Sequence, residues 1–198
     1  MGRWEPNAQG RLAEAALDLY SERGYEQTTV AEIAKRAGLT ERTFFRHYAD
    51  KREVLFAGAG ELEKLFVQAV AGAPPEAAPI DALARGLDAV SEVFADRRAY
   101  ACRRHAVITA NAELLERELI KLSSLSAALA DTLRRRDVPE PAASLAAEAA
   151  VAVFKIGFER WIATPENTGA CDLAQQVREA LAELRVVAAG DAAVRART

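Results

Sequence analysis

Residues 28–55 read TTVAEIAKRAGLTERTFFRHYADKREVL and decide how the N-terminal part of the chain folds. Their apolar spacing predicts two short helices, over about 30–37 and about 41–48. Gly38 between them suits a tight turn, because glycine reaches positive φ without a steric cost. Ala34 is small enough for the two helices to cross closely. Two short helices joined in this way predict a helix-turn-helix.

Threonines and an aspartate stand where the helices of this region would begin. Thr29 comes just before the first helix and Glu32 three residues later, which is the spacing of a capping box. Thr40 can cap the second helix, and Asp50 can cap a fourth helix of the chain over 51–71. These side-chain acceptors support the helical interpretation.

The second helix carries two adjacent phenylalanines, which do not easily share one face because neighbouring helical residues point about 100° apart. Phe44 lies one turn from Tyr48, on the side of the shared apolar core. Phe45 falls between the core side and the opposite side. We therefore expect Phe44 to be buried, whereas the core alone does not require Phe45.

The opposite side of the same helix carries Arg42, Thr43 and Arg46, with His47 beside them. Arginine can bind a guanine edge through two hydrogen bonds, or a phosphate. Taken alone, two exposed arginines are more simply a solvated helix face. The DNA-binding interpretation gains weight because this helix is the second of a helix-turn-helix.

Charge is distributed unevenly along the 198 residues, which have a formal net charge of -3. Residues 1–52 carry nine Lys/Arg and eight Asp/Glu, and the remainder carries 17 and 21. This balance argues against a chain that coats nucleic acid indiscriminately, and suits contact with an anionic polymer at one end. Cys102 and Cys171 are expected to be reduced thiols, and no apolar run approaches the roughly 20 residues of a membrane span. We expect a cytoplasmic protein without membrane contact.

The rest of the chain also has helical periodicity, so the predicted fold class is all-α with about nine helices. Proline- or glycine-containing breaks separate the segments at 72–79, 137–141 and 164–169. The remaining helices are predicted over 9–23, 80–97, 100–109, 112–136, 144–163 and 172–189.

Residues 12–55 resemble the DNA-binding head of TetR-type transcriptional regulators over many positions in fixed order. The resemblance implies a helix-turn-helix domain over 1–55, with the helix 51–71 bridging to a larger helical body. It implies that this body, 56–190, binds a ligand and dimerises, and residues 191–198 are expected to form a flexible tail.

The implied function is a ligand-responsive regulator, most simply a repressor, that binds a palindromic operator as a homodimer and is released by a small-molecule effector. No cofactor is implied. Many relatives carry tyrosine at the position of Phe45, and its hydroxyl binds a phosphate; Phe45 could instead pack against deoxyribose or a thymine methyl. The expected DNA contacts are Thr28, Thr29, Thr40, Glu41, Arg42, Thr43, Phe45, Arg46, His47, Tyr48 and Lys51.

Two further sites are expected in the body. The apolar stripes of the last two helices exceed what one protomer needs as core, which favours a four-helix dimer interface, although part of each stripe must be internal. The expected interface residues are Ala147, Val151, Phe158, Ile162, Leu173, Val177, Leu181 and Leu184. The expected pocket residues are Phe94, Tyr100, Cys102, Arg104, His105, Ile108, Phe154, Phe158 and Trp161.

Several alternatives remain open at this stage. The basic run 97–105 could bind an anionic ligand, although pairing with Glu113, Glu116 and Glu118 is the simpler interpretation. Cys102 and His105 could hold a metal, with Glu113 as a third ligand, and Cys102 could sense oxidation. A helical enzyme is disfavoured because the chain shows no Gly-rich phosphate loop, nucleophile motif or catalytic His pair. A module that binds no DNA would leave Arg42, Arg46 and Lys51 without a purpose.

Overall fold

The computed structural model describes residues 7–164 and 172–190, and within them the chain is helical with no strand, which confirms the all-α prediction. The predicted tail 191–198, Cys171 and all but the first residue of the break 164–169 lie outside the described residues. The α-helices are α1 (Ala8–Arg23), α2 (Val30–Arg36), α3 (Glu41–His47), α4 (Ala59–Ala71), α5 (Pro79–Glu92), α6 (Arg98–Thr109), α7 (Ala112–Arg134), α8 (Ala142–Ala163) and α9 (Leu173–Ala189).

Local signals set the ends of the first three helices as predicted. Thr29 and Glu32 form a complete capping box at α2, in which each side chain accepts from the backbone of the other. The hydroxyl of Thr40 accepts from the N–H of Thr43 at 3.2 Å and starts α3. Gly24 ends α1 with φ 89°, and Gly38 takes φ 66° in the turn between α2 and α3. The helix-turn-helix therefore has the boundaries that its caps predict.

The prediction of one continuous helix over 51–71 is wrong. The chain forms a short 3-10 turn, Glu53–Phe56, before α4 begins. Asp50 does act as a cap, because its Oδ1 accepts from the backbone N–H groups of Arg52 and Glu53 at 2.8 and 3.2 Å. Gly58 lies in this break and weakens an α-helix there, since a glycine costs about 1 kcal/mol relative to alanine.

The described residues up to Gly60 form one compact unit together with Ala99–Ile120. Its core includes residues from both segments, with Phe44 fully buried on α3 and Ile108 at 2% exposure on α6. Residues 99–120 lie beyond the predicted boundary at residue 55, and they complete this core. The other buried members include Leu12, Leu17, Ile33, Val54, Leu55, Phe56, Val107 and Leu114.

The second unit consists of Glu61–Arg98 and the described residues from Lys121 onward. Within it, α8 packs closely on α9. Gly157 makes this approach possible, because a Cβ there would lie 2.7 Å from Cγ2 of Val177 and 2.8 Å from its Cα. Among the described helices, none combines the length and apolar character needed to cross a membrane.

Candidate nucleic-acid interface

The two phenylalanines of α3 have opposite environments. Phe44 is fully buried in the core of the first unit, as predicted, and Phe45 is 56% exposed. Their rings meet edge to face, with centroids 5.5 Å apart and planes at 82°. Phe44 also contacts the ring of Tyr48 at 5.5 Å. Phe44 therefore fixes α3 to the core while Phe45 faces solvent.

The exposed arginines of α3 have no carboxylate partner among the described residues. Arg46 lies 3.4 Å from Nε2 of His47, and Glu41 pairs with neither Arg42 nor Arg46. By contrast, Arg36 in α2 forms a bidentate pair with Glu22 at 2.8 and 3.0 Å. The helix-turn-helix thus leaves the two cations of its second helix able to bind an external anion.

Threonines mark the N-termini of the two helices. The hydroxyl of Thr29 donates to Glu32 at 2.9 Å, and the hydroxyls of Thr40 and Thr43 lie 3.1 Å apart. Thr29 and Thr40 are exposed, and Thr43 is half-buried. A helix N-terminus carries partial positive charge, which favours phosphate nearby. The capping threonines are therefore in positions where they can also face a DNA backbone.

Two residues expected to contact DNA instead have internal partners, which corrects the prediction for both hydroxyls. Thr28 is 1% exposed and donates to the carbonyl of Gly24 at 2.9 Å. Tyr48 is 4% exposed and donates to the carbonyl of Gln9 at 3.0 Å. Burial raises the pKa of Tyr48 to about 12, so its hydroxyl stays protonated as a donor. Both side chains tie the head together rather than face solvent.

Lys51 departs from its expected role in the same way. Its Nζ donates to the carbonyls of Tyr25 at 2.9 Å and Thr28 at 3.1 Å, and lies 4.2 Å from the centre of the Tyr25 ring. Its own carbonyl accepts from the hydroxyl of Tyr20 at 2.6 Å. The ammonium is thus bonded to the loop between α1 and α2, where a phosphate would have to compete with three carbonyls.

Side-chain contacts between distant positions of the chain stabilise the first unit around the helix-turn-helix. The guanidinium of Arg11 in α1 donates to the carbonyl of Ala37, in the turn between α2 and α3. Arg103 reaches Asp18 at 2.6 Å, and Arg117 reaches Glu53 at 2.7 Å. Sequence periodicity does not predict such side-chain contacts, because each one joins positions that are far apart in the chain.

The expected pocket residues of α6 are largely committed to the first unit. Ile108 is part of its core. Arg104 donates to the carbonyl of Leu55 at 2.7 Å, pairs with Glu118 at 2.8 Å, and places its guanidinium 5.1 Å from the Phe56 ring. This supports surface pairing over an anion site for the basic run. Tyr100, Cys102 and His105 are half-buried.

The metal alternative finds no support in the described residues. They contain no group of three or more His, Cys, Asp or Glu side chains that could hold a metal ion. The glutamate considered as a third ligand with Cys102 and His105, Glu113, instead pairs with Arg52 at 2.7 Å.

Four other expected pocket residues form an aromatic cluster in the second unit. The Phe94 ring lies 6.2 Å from Phe154, 5.9 Å from Phe158 and 6.1 Å from Trp161, measured between centroids. Trp161 is 1% exposed and therefore core, and the three phenylalanines are half-buried. Arg98 closes the C-terminal end of α8 by donating to the carbonyls of Trp161 and Ile162 at 3.2 Å.

Most of the expected dimer residues are buried inside the protomer, which corrects that prediction. These buried side chains lie where α8, α9 and α5 pack on one another within the protomer, so they do not face a second chain. The buried residues are Ala147, Val151, Leu173, Val177 and Leu181, at 0–6% exposure, and Phe158, Ile162 and Leu184 are half-buried.

The outward faces carry different apolar residues, which the sequence prediction missed. On α8 these are Leu145, 67% exposed, Ala152, and Ile156, 44% exposed. On α9 they are Ala182 and Val186, the latter 37% exposed. The sequence does contain a pattern for the outward face of α8, because positions 145, 152 and 156 are apolar at helical spacing. The more numerous apolar residues on the buried face of the same helix obscure this pattern.

Residues 12–57 match the model of the family described as bacterial regulatory proteins, tetR family. The HTH-type transcriptional regulator TcmR of Streptomyces glaucescens is 36% identical over 80 residues, which are 40% of this chain and 35% of TcmR. The chain thus spans about a third of the length of this curated relative.

Solved structures extend the similarity to the fold of the whole chain. SmeT, a repressor of a Stenotrophomonas maltophilia efflux pump, in complex with triclosan, has a TM-score of 0.63 at 20% identity, over 91% of this chain and 90% of SmeT. The fatty acid degradation regulator FadR from Bacillus halodurans has a TM-score of 0.56 at 20% identity, over 92% and 96%. At this identity the likeness shows the fold alone. The head of the chain therefore matches the tetR family model, and the described fold resembles that of these solved regulators.

Proposed function

We propose that this protein is a ligand-responsive transcriptional repressor that binds a palindromic operator as a homodimer. The observation that carries the proposal is the exposed pair Arg42 and Arg46 on the second helix of a helix-turn-helix that matches the family model; the described residues offer this pair no carboxylate partner. Regulators of this fold act without catalysing a reaction, so no enzymatic step is proposed. The protein would act in the cytoplasm, where operator DNA is found.

The proposed contact follows from the environment of each side chain. Arg42 and Arg46 reach guanine edges or flanking phosphates in the major groove, and His47 binds the backbone beside them. Thr29, Thr40 and Thr43 add phosphate contacts at helix N-termini, and Glu41 lies at the start of the same helix. Thr28, Tyr48 and Lys51 are left out of the side-chain contacts because their polar atoms have internal partners.

The proposed dimer uses the outward faces of α8 and α9. Leu145, Ile156 and Val186 supply the exposed apolar side chains there, and adjacent alanines permit close helix approach. A dimer places two heads on two half-sites, about one DNA turn apart. Ile156→Lys should give a monomer in sedimentation velocity, whereas Lys64→Ala, on exposed α4 surface, should leave the dimer unchanged. A dimeric Ile156→Lys protein would remove these faces from the interface.

The proposed effector is an apolar aromatic molecule. The rings of Phe94, Phe154 and Phe158 are half-buried, and their centroids lie 5.9–6.2 Å apart. Such an aromatic cluster suits contact with a planar apolar molecule. SmeT, which shares the fold, has been solved in complex with triclosan. Triclosan is an apolar aromatic compound and is therefore the first effector to test on this protein. By linkage, an effector that weakens DNA binding must bind the DNA complex more weakly by the same factor.

The experiment that tests DNA binding selects ligands from a randomised pool of duplexes with the full-length protein. We expect recovery of an inverted repeat, with affinity that falls steeply with salt as phosphate counterions are released. Recovery of no sequence at low salt, or a log–log salt slope near zero, would contradict the proposal. Adding triclosan and other aromatic compounds to the recovered complex then tests release.

A further inference from the structure

Phe45 is exposed in a way that the fold does not explain. Among described residues 7–60, no other large hydrophobic side chain is exposed, and Phe45 is exposed by 56%. Its ring is nevertheless held in place, because it packs edge to face on the buried Phe44 with centroids 5.5 Å apart. A rigid apolar group on a surface loses little conformational entropy when a partner covers it. The arrangement therefore suits an apolar contact with a binding partner.

The position of Phe45 on α3 places it beside the arginines that we propose bind DNA. Phe45 is three positions after Arg42, so the two side chains point about 60° apart around the helix axis. Phe45 thus flanks the groove-facing side, and Thr43 flanks it on the other edge. A ring at this edge can meet base edges in the major groove as well as the sugars along its wall.

The chemistry of the ring narrows what it can recognise. Phenylalanine has no hydrogen-bonding group, so it cannot bond a phosphate or the polar atoms of a base edge. The apolar group that the major groove presents is the 5-methyl group of thymine, and phenylalanine is among the side chains that contact it. We propose that Phe45 reads one thymine in each half-site by packing its ring against that methyl group. This inference rests on the proposed DNA-binding function.

The test removes the methyl group without changing base pairing. In the duplex recovered from the randomised pool, each thymine is replaced by deoxyuridine, one symmetric pair of half-site positions at a time. Each methyl group that no longer packs on a ring should cost about fourfold in affinity, the effect of losing the burial of one methyl-sized apolar group. Replacing the symmetric pair at the sensitive position should therefore weaken binding of the wild-type protein by about 15-fold. At the other thymines the same replacement should have little effect.

Variants at Phe45 connect that sensitivity to the ring. Phe45→Ala should bind thymine and deoxyuridine duplexes equally well at the sensitive position, whereas Phe45→Tyr, which keeps the ring, should retain the preference. Thr43→Ala is the matched control on the opposite edge of the same face, and it should retain the full methyl sensitivity. Circular dichroism melting should show that all three variants fold, since Phe45 is exposed and Thr43 is only half-buried.

The outcomes separate this inference from the function on which it rests. If no duplex is recovered, the proposed function fails and the inference fails with it. If a duplex is recovered but wild-type affinity is insensitive to every methyl replacement, the inference is overturned while DNA binding stands. If Phe45→Ala weakens thymine and deoxyuridine duplexes by the same factor at the sensitive position, the ring contacts deoxyribose instead, and the inference is overturned. Loss of the preference in Phe45→Ala alone supports it.

Discussion

Phe44→Ala and Phe45→Ala are adjacent substitutions with very different expected effects on stability. Phe44 is fully buried and contacts the rings of Phe45 and Tyr48, both at 5.5 Å between centroids. Removing a buried phenylalanine side chain costs about 3–5 kcal/mol of unfolding free energy, through lost burial and the cavity left behind. Phe45 is 56% exposed, so its removal should cost only about 1 kcal/mol, mostly its edge contact with Phe44.

Thermal unfolding of the full chain, followed by circular dichroism, measures this difference. For a chain of this size, 1 kcal/mol corresponds to about 2–4 °C, so Phe44→Ala should lower the midpoint by roughly 6–20 °C. Phe45→Ala should lower it by no more than about 4 °C. Equal shifts for the two variants would refute the assignment of one ring to the core and the other to the surface, and with it the orientation of α3.

Three further predictions concern the fold. Gly157→Ala should destabilise the chain by about 1–2 kcal/mol in urea unfolding, because the new Cβ would lie 2.7 Å from Cγ2 of Val177. The control Gly60→Ala should not destabilise it, because a Cβ there meets nothing within 4 Å. The reverse order of stabilities would contradict the α8–α9 packing. The hydrogen bond from Arg52 lowers the pKa of Asp50 below its usual 3.8, so the stability that this pair contributes is complete above pH 3.8 and is lost as the pH falls through the lowered pKa. Asp50→Asn should therefore make the free energy of unfolding less dependent on pH in this acid range. An unchanged pH dependence in the variant would contradict the pair. A fragment of residues 1–60 should lack cooperative unfolding, because part of its core comes from residues 99–120; a cooperative melt would refute this.

The parts of the head that the sequence predicts are those fixed by local chemistry. A threonine accepts from an N–H three residues away, and a glycine adopts positive φ within one residue, so Thr29, Thr40 and Gly38 mark the helix-turn-helix directly. The burial of Phe44 likewise follows from helical periodicity. These features depend on short stretches of chain, which is why the sequence is sufficient for them.

The missed features depend on partners that are distant in sequence. Nothing near Lys51 shows that its ammonium will bond the carbonyls of Tyr25 and Thr28 rather than face DNA. The core contribution of Ile108 is equally invisible without the fold. On α8, alanine-rich stripes occur on more than one side, so composition alone could not distinguish the buried Val151 from the exposed Ile156. Tertiary packing decides each of these cases.

The most direct test of DNA recognition compares arginines that differ in partners but not in charge. Arg42 and Arg46 lack carboxylate partners among the described residues, whereas Arg23 and Arg36 pair with Glu32 and Glu22. Affinity for the selected duplex is measured by fluorescence anisotropy at several salt concentrations. Arg42→Ala and Arg46→Ala should each weaken binding by about fivefold or more, from about 1–3 kcal/mol per lost base contact. Arg23→Ala and Arg36→Ala should each change affinity by less than about twofold. Equal losses for all four variants would show that net charge, rather than α3, governs binding, and would contradict the account.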